Sequence, residues 1–387
     1  MTPPELSLRS LGPMGAEIYG ELALGSWAKA ATRGIEEFTA AVGSSPGSKR
    51  SRNEDRALVA EVATESGDRY RAAIVCDGVG GSEMGDVAAT LATAAFLGRL
   101  QSTVGRRMLE GLLVELIHFT DDAVRTELRG KGTTTMSIVL ATDSGEVAAA
   151  NVGDSRIFSW QPGRGLAQVS TDDTMENEFR NLPLKNSAVL DAKGLRGTLS
   201  QAIGDADHGY ERLRVATFSK HLFSEGAILA SDGTWKGNES TFSAVAQNAT
   251  NSVEVVRRAL AVATWSGGSD NASIVAIDNL ATFAKGGPQR TPRCRGRVIL
   301  WINDTKIVLQ SSRGGVINPE PSLRKEKVES PKKIVEDRRR RGRTDYQRKQ
   351  QSKSDDQLSF IPESGKISRK PKIEISTEFS GGGPPPT

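Results

Sequence analysis

Tyr70-Arg-Ala-Ala-Ile-Val-Cys-Asp-Gly-Val-Gly-Gly81 is the segment with the clearest structural signal in the chain, because an apolar run stops there at a carboxylate and a glycine-rich turn. Residues 70–76 have the length and composition of a buried β-strand. An ionised carboxylate at the end of such a strand is unfavourable unless a cation or a hydrogen-bond donor compensates its charge. Asp77 is therefore a candidate site residue, although a lone Asp-Gly pair after a strand is usually only a turn.

Acidic residues in similar settings recur along the chain. Asp232 follows the apolar residues 227–231, Asp154 lies in Asn151-Val-Gly-Asp-Ser-Arg156, Asp270 lies in Gly268-Ser-Asp-Asn271, and Glu54 and Asp55 precede a strand. Taken singly, each motif is typical of a turn or a solvated loop. Several carboxylates that converge on one place need cations, and oxygen ligands without His or Cys favour hard ions such as Mg²⁺ or Mn²⁺.

The order of predicted elements indicates the fold class. Strands are predicted at 57–62, 70–76, 134–141, 146–151, 155–160, 227–231 and 272–278, and helices at 17–38, 85–100, 105–129, 240–248 and 253–264. The strands come in consecutive groups and the helices in pairs. This order favours an α+β fold with antiparallel sheets and outer helical layers over alternating βαβ units.

Charge divides the 387 residues into an acidic body and a basic tail. Residues 286–387 contain 23 Lys and Arg against 12 Asp and Glu, whereas residues 1–285 contain 28 against 35. Two cysteines and three scattered histidines cannot form a disulfide framework or a zinc cluster. The chain has no apolar run long enough to span a membrane and does not begin with a secretory signal, so a cytoplasmic location is predicted.

Four regions are predicted from these patterns. They are an N-terminal extension (1–36), a catalytic domain (37–285), a linker with an isolated β-hairpin (286–318) and a disordered basic tail (319–387). For the tail, a solvated linker is favoured over docking on an acidic partner such as a cognate kinase. Nucleic-acid or membrane binding is not supported, because the tail has one tyrosine in its most basic stretch and no amphipathic helix.

Seven motifs in order carry a family resemblance. They are Arg50-Ser-Arg-Asn-Glu-Asp55, Asp77-Gly-Val-Gly-Gly81, Gly132-Thr-Thr134, Asn151-Val-Gly-Asp-Ser-Arg156, Ala202-Ile-Gly204, Leu229-Ala-Ser-Asp-Gly233 and Ser269-Asp-Asn271. The series resembles the protein phosphatase 2C family of metal-dependent serine/threonine phosphatases in its bacterial form, over about residues 38–278. The resemblance implies a four-layer α-β-β-α sandwich of two antiparallel sheets. It also implies that the chain removes phosphate from phosphoserine and phosphothreonine in protein substrates.

The resemblance further implies a site with two Mn²⁺ or Mg²⁺ ions that activate a bridging water for in-line attack on phosphorus. The roles that it assigns are these: Asp77 contacts both ions, Asp232 and Asp270 complete one, Glu54 and the Gly78 carbonyl serve the other, Asp55 orients the water, Arg50 holds the phosphate, and Asp154 serves a third, more weakly held ion.

Three departures from the family pattern affect this interpretation. Lys236 stands where many relatives carry Asp, Thr171-Asp-Asp-Thr174 replaces Thr-x-Asp-His, and residues 175–197 keep little of the pattern. An ammonium group at position 236 would oppose a third cation or contact phosphate. The alternative function is a catalytically weak phosphatase-like sensor or scaffold that binds phosphoproteins.

Overall fold

The structure is a computed structural model that describes residues 6–79, 83–180, 195, 197–206, 212–286 and 295–311. The strands are β1 Ala31–Ile35, β2 Ala40–Ser45, β3 Arg56–Ala63, β4 Arg69–Cys76, β5 Met136–Thr142, β6 Val147–Val152, β7 Arg156–Gln161, β8 Gly165–Gln168, β9 Ala216–Ser219, β10 Gly226–Ala230, β11 Ala272–Ile277, β12 Arg297–Ile302 and β13 Thr305–Gln310. The helices are α1 Gly12–Ala23, α2 Gly85–Gln101, α3 Leu109–Leu128, α4 Met175–Glu178, α5 Asp232–Trp235, α6 Glu239–Asn248, α7 Ser252–Trp265 and α8 Leu280–Lys285. The predicted disordered tail at 319–387 lies outside the described residues.

The strands form two antiparallel sheets. One sheet has six strands in the order β1-β2-β11-β10-β7-β8, and the other has seven in the order β13-β12-β3-β4-β5-β6-β9. Each pair of neighbouring strands is antiparallel. Strands β3 and β4, and likewise β5 and β6, lie side by side and are joined by short connections, whereas the connection from β4 to its neighbour β5 contains α2 and α3. The predicted architecture of two antiparallel sheets flanked by helices is confirmed.

Three apolar clusters hold the layers together. The first packs α1, α2 and α3 on the seven-stranded sheet and includes Ile18, Leu91 and Leu113. The second fills the space between the two sheets and includes Val75 and Leu229. The third packs α6 and α7 on the outer face of the six-stranded sheet. Because β3 and β4 are covered on both faces, their sequences are nearly continuous apolar runs rather than alternating ones.

The N-terminal prediction was wrong in its second half. Instead of a helix over 17–38, the structure has α1, which ends at Ala23, followed by the edge strand β1. The indole Nε1 of Trp27 donates to the Leu22 carbonyl at 2.9 Å, so it satisfies a carbonyl that further helix would have used. The extension 1–36 therefore contributes both a helix that packs on α2 and a strand that pairs with β2.

The hairpin predicted near residues 297–309 is present, but it is not isolated. Strand β12 pairs with β3 along its length, with Trp301 opposite Val59, and β13 then forms the edge of the seven-stranded sheet. The side chains of β12 are almost fully buried because they face the helices on one side and the other sheet on the other. The hairpin thus supplies two strands of the sheet, whereas the prediction put it in a linker. Among the described residues, no helix is long and apolar enough to cross a bilayer.

Candidate active site

Five aspartates lie at the same end of the two sheets. Asp55 precedes β3 and Asp77 follows β4, and these strands are paired so that Arg56 lies opposite Cys76. Asp154 precedes β7, Asp232 follows β10 and Asp270 precedes β11, and in this sheet β10 pairs with both β7 and β11. Antiparallel pairing places the end of one strand beside the start of the next. The strand ends predicted from sequence to carry carboxylates are therefore brought together.

Asp77 is at the centre of this group. Its backbone is fixed by Thr135, whose N–H donates to the Asp77 carbonyl at 2.8 Å, and by the Thr134 hydroxyl, which donates to the same oxygen at 2.9 Å. Poor solvation, together with the nearby charges of Asp55, Asp232, Asp154 and Asp270, raises the pKa of the Asp77 carboxyl well above its usual value. A group of acids this dense favours any cation that can neutralise it.

Asp55 is completely buried beside Asp77. The Ser231 hydroxyl donates to its Oδ2 at 2.9 Å, and within the described chain no donor reaches its Oδ1. Burial, reinforced by the charge of Asp232, raises the pKa of Asp55 to about 7, although the hydroxyls of Ser231 and Ser273 act in the opposite direction. A buried carboxylate oxygen without a donor is rare in folded proteins, and such an oxygen is suited to contact a cation or a water.

The loop that carries Glu54 and Asp55 is held in place by hydrogen bonds from a buried arginine. Arg56 Nη1 donates to the carbonyls of Asn53 at 3.0 Å and Asp55 at 2.7 Å. From the other side, the Asn271 side chain accepts from the Glu54 N–H at 2.8 Å and donates to the Arg52 carbonyl at 2.9 Å. No role was predicted for Asn271 from the sequence, although it lies in one of the quoted motifs. Its hydrogen bonds tie the β11 start to the loop before β3.

Glu54 and Gly78 lie together, as the sequence interpretation requires. A Cβ atom on Gly78 would come within 2.5 Å of the Gly85 carbonyl and 2.8 Å of the Glu54 carbonyl, so a larger residue does not fit. Burial, reinforced by the charge of Asp86, raises the pKa of Glu54, and Arg50 opposes this shift. Asp86 is a neighbour that sequence analysis missed, because nothing in its motif distinguishes it from an ordinary residue of the first helical turn.

Two basic side chains reach the acidic group. Arg50 Nη2 lies 2.9 Å from Asp270 Oδ2, and Lys236 Nζ lies 2.8 Å from Asp232 Oδ2 and 3.9 Å from Asp154 Oδ2. Burial and the charge of Asp232 raise the pKa of Asp154 to about 6, while Lys236 acts against that rise. Lys236 thus occupies the space between two carboxylates and partly neutralises both.

The Asp154 turn is braced by the segment that departs from the family pattern. Arg156 donates to both carboxylate oxygens of Asp172, with the Nη2–Oδ2 distance at 2.7 Å, and its guanidinium lies 3.4 Å from the Trp235 ring centroid. Asp173 accepts from the Gly153 N–H at 2.9 Å. Asp172 and Asp173 therefore position the loop on which Asp154 stands, and Trp235 connects it to α5.

The composition of the site fits divalent cations. All candidate ligands supply oxygen, which suits Mg²⁺ and Mn²⁺, and the buried Asp55 Oδ1 lacks a donor. In the part of the chain that the structure describes, no three His, Cys, Asp or Glu side chains are placed closely enough to hold one metal ion as they stand. Two of these carboxylates are held in ion pairs instead, Asp270 with Arg50 and Asp232 with Lys236.

Known proteins resemble this chain in sequence and in fold. Residues 42–259, more than half of the chain, match the model of the protein phosphatase 2C family. A relative, the serine/threonine phosphatase stp of Listeria monocytogenes, is 29% identical over 170 residues, and the match covers 38% of this chain and 64% of that protein, which is less than two thirds of its length.

Solved structures show the same fold. Serine/threonine phosphatase Stp1 from Staphylococcus aureus matches with a TM-score of 0.51 at 20% identity, covering 65% of this chain and 98% of its own. The S. agalactiae serine/threonine phosphatase matches with a TM-score of 0.51 at 18% identity, covering 62% of this chain and 98% of its own.

Proposed function

This chain belongs to the protein phosphatase 2C family, and from that premise we propose that it hydrolyses phosphoserine and phosphothreonine in protein substrates. The observation that supports the proposal most directly is the convergence of Asp55, Asp77, Asp154, Asp232 and Asp270 at one end of the sandwich. The reaction removes a phosphate that another enzyme must add, so we also propose a cognate Ser/Thr kinase as the source of the substrate and a cytoplasmic site of action.

The family depends on Mg²⁺ or Mn²⁺ in general, and the residues here suit such ions. We propose that Asp77 contacts two ions, that Asp232 and Asp270 complete the first, and that Glu54 and the Gly78 carbonyl serve the second. Ions bound there would lower the pKa of an attacking water and would neutralise charge that develops on the phosphoryl oxygens. Asp154 would serve a third, weaker ion only where Lys236 leaves room for it.

The chain's own side chains then have distinct tasks. Asp55, buried and held by the Ser231 hydroxyl, orients the attacking water and accepts its proton. Arg50 presents a planar guanidinium that can donate to two phosphate oxygens, and 39% of its side chain is exposed towards solvent where a substrate arrives. To bind phosphate, Arg50 must exchange its contact with Asp270, and ions bound at Asp270 would favour that exchange.

Chelation provides the first test. Hydrolysis of an aryl phosphate is expected to require added Mn²⁺ or Mg²⁺, to stop in EDTA and to return when excess Mn²⁺ is restored, because only oxygen ligands are available and none binds a cation tightly alone. The measurement is release of inorganic phosphate as a function of free metal concentration. Full activity in EDTA contradicts the two-ion proposal. Binding of phosphopeptides without any hydrolysis under saturating Mn²⁺ would instead favour the alternative of a phosphoprotein-binding sensor or scaffold.

Lys236→Met is expected to lower the Mn²⁺ concentration needed for half-maximal activity. Two unit charges about 4 Å apart interact by about 4 kcal/mol at an effective dielectric of 20. Water screens this interaction because 51% of the Lys236 side chain is exposed. We therefore expect the required Mn²⁺ concentration to fall roughly tenfold, which is less than the unscreened interaction would give. Lys236→Asp, which also adds a ligand, should shift the requirement further.

Calorimetric titration of Mn²⁺ into each variant checks the same expectation without turnover. Lys285→Met is the matched control, since Lys285 is an exposed lysine at the end of α8 and makes no contact with the acidic group. An unchanged Mn²⁺ requirement combined with a higher KM for aryl phosphate would mean that Lys236 contacts the substrate phosphate instead.

A further inference from the structure

One tryptophan differs from all the others in its exposure. The side chain of Trp265 is 86% exposed, whereas Trp27, Trp160, Trp235 and Trp301 are at most 6% exposed. Single apolar residues on a surface are common and by themselves carry no meaning. The position of Trp265 relative to the candidate active site is what makes it informative.

Trp265 is the last residue of α7, and the turn after it leads directly to Asp270. This turn is bonded to the segment before Arg50: the Gly268 carbonyl accepts from the N–H groups of Ser48 at 2.9 Å and Lys49 at 3.2 Å, and the Ser48 hydroxyl donates to the Gly267 carbonyl at 2.8 Å. These three hydrogen bonds join the Trp265 turn and the Arg50 loop into one rim beside the acidic group.

The rim is basic as well as apolar. Residues 48–52 are exposed and contain Lys49, Arg50 and Arg52. Within the described residues Lys49 makes no ion pair, and the contact of Arg52 with Asp86 is long, at 3.9 Å. These charges suit a segment that carries a phosphate group, because exposed cations attract it and Arg50 can bind it directly. The exposed indole three residues before Gly268, which is bonded to this segment, suits an apolar side chain on the same substrate segment.

From this arrangement we infer that Trp265 and the basic segment 48–52 form a docking surface for the substrate chain that flanks the phosphorylated residue, with Trp265 covering an apolar substrate side chain. The inference rests on the proposed function, since it names the feature of a phosphoprotein that the site prefers. Tryptophan is frequent among the residues that dominate binding energy, because it buries a large area with few rotatable bonds. The surface therefore selects phosphorylated segments with an apolar neighbour.

Tryptophan fluorescence tests the inference directly. The probes are non-hydrolysable phosphonate peptides that each carry one leucine, at one of the three positions on either side of the phosphonate residue. A parent peptide has serine at all of these positions. Acrylamide quenches exposed indoles, so Trp265 should dominate the quenching of the free protein. At least one leucine peptide is expected to protect Trp265 more than the parent does and to bind it roughly tenfold more tightly, as burial of about 50–60 Å² of apolar surface implies.

Trp265→Ala should remove both effects and reduce binding of the leucine peptide to the level of the parent. Met108→Ala is the matched control, because Met108 is 76% exposed and lies beyond α2, at the opposite end of the sheets from the aspartates. Equal protection by the leucine and parent peptides, or equal loss of binding in the two variants, overturns the inference.

Kinetics separate this inference from the proposed function. With the matching phosphopeptides, Trp265→Ala is expected to lower kcat/KM for the preferred leucine peptide roughly tenfold, while kcat/KM for an aryl phosphate stays unchanged. A similar loss of kcat/KM for the aryl phosphate would mean that Trp265 has a structural role, and it overturns the proposed docking surface. If no substrate is hydrolysed at all yet the leucine phosphonate still protects Trp265, the proposed function fails and the docking surface stands.

Discussion

Asp77→Asn is expected to slow hydrolysis of a small aryl phosphate by about a thousandfold, measured as kcat at saturating Mn²⁺. Asp77 is the carboxylate surrounded by four other acidic side chains, and in our proposal it contacts both ions. Two-ion sites supply several kcal/mol of transition-state stabilisation, and a loss of about 4 kcal/mol corresponds to about a thousandfold in rate. The other candidate ligands cannot replace a group that is shared between two ions.

The same substitution is expected to leave the fold intact. Asparagine has the size of aspartate, and the hydrogen bonds of the Asp77 backbone with Thr134 and Thr135 do not involve the carboxylate. It also removes a like charge from the cluster, so the thermal unfolding midpoint in EDTA should be no lower than that of the unmodified protein. Asp143→Asn is the control, since Asp143 lies in an exposed turn at the other end of the seven-stranded sheet.

The turnover rate and the unfolding midpoint together distinguish a catalytic role of Asp77 from a structural one. Loss of turnover with an unchanged or higher unfolding midpoint supports a direct role of Asp77 in the reaction. Turnover within a few-fold of the unmodified protein would locate the catalytic centre elsewhere. A lower midpoint that parallels the loss of turnover would mean that Asp77 acts on the fold instead.

Parts of the fold buried on both faces could be predicted from sequence. Strands β3, β4 and β10 are continuous apolar runs because both of their faces are covered, and the predicted limits differ from the observed ones by one residue at most. Strand β2 is buried as well but was missed, because its sequence Ala-Ala-Val-Gly-Ser-Ser has little apolar signal. The strands β1, β8 and β9 were missed for the opposite reason. They are short, partly exposed edge strands whose residues meet polar surroundings on one side, so no apolar pattern distinguishes them from loops.

Some features of the candidate site could likewise be predicted from sequence and others could not. Its carboxylates were found because Asp77 and Asp232 end apolar strands, which is a local property of the sequence. The ion pairs Arg50–Asp270 and Lys236–Asp154 join residues far apart in the chain, and they depend on strand pairing that no local pattern determines. The contribution of Asn271 was missed for the same reason, since its partners Glu54 and Arg52 come from another strand end.

Because the hairpin supplies two strands of the seven-stranded sheet, it is expected to be essential for folding. A variant that ends after residue 286 loses β12 and β13, whereas one that ends after residue 311 keeps them. Strand β12 buries five large apolar side chains, from Val298 to Ile302, at 3% exposure or less. At about 2 kcal/mol for each such side chain, their burial contributes about 10 kcal/mol.

This contribution is comparable to the whole stability of a typical domain, which is about 5–15 kcal/mol. Removal of β12 also leaves the β3 edge unpaired and uncovers Phe38, whose ring packs against Trp301 with a centroid distance of 5.1 Å. The variant that ends after residue 286 is therefore expected to be unfolded or aggregated and inactive, although it retains every proposed ligand. The variant that ends after residue 311 should unfold cooperatively and hydrolyse aryl phosphate normally. Circular dichroism melting of both variants decides the matter, because a folded, active chain ending at 286 would show that the hairpin is a dispensable appendage to the sandwich.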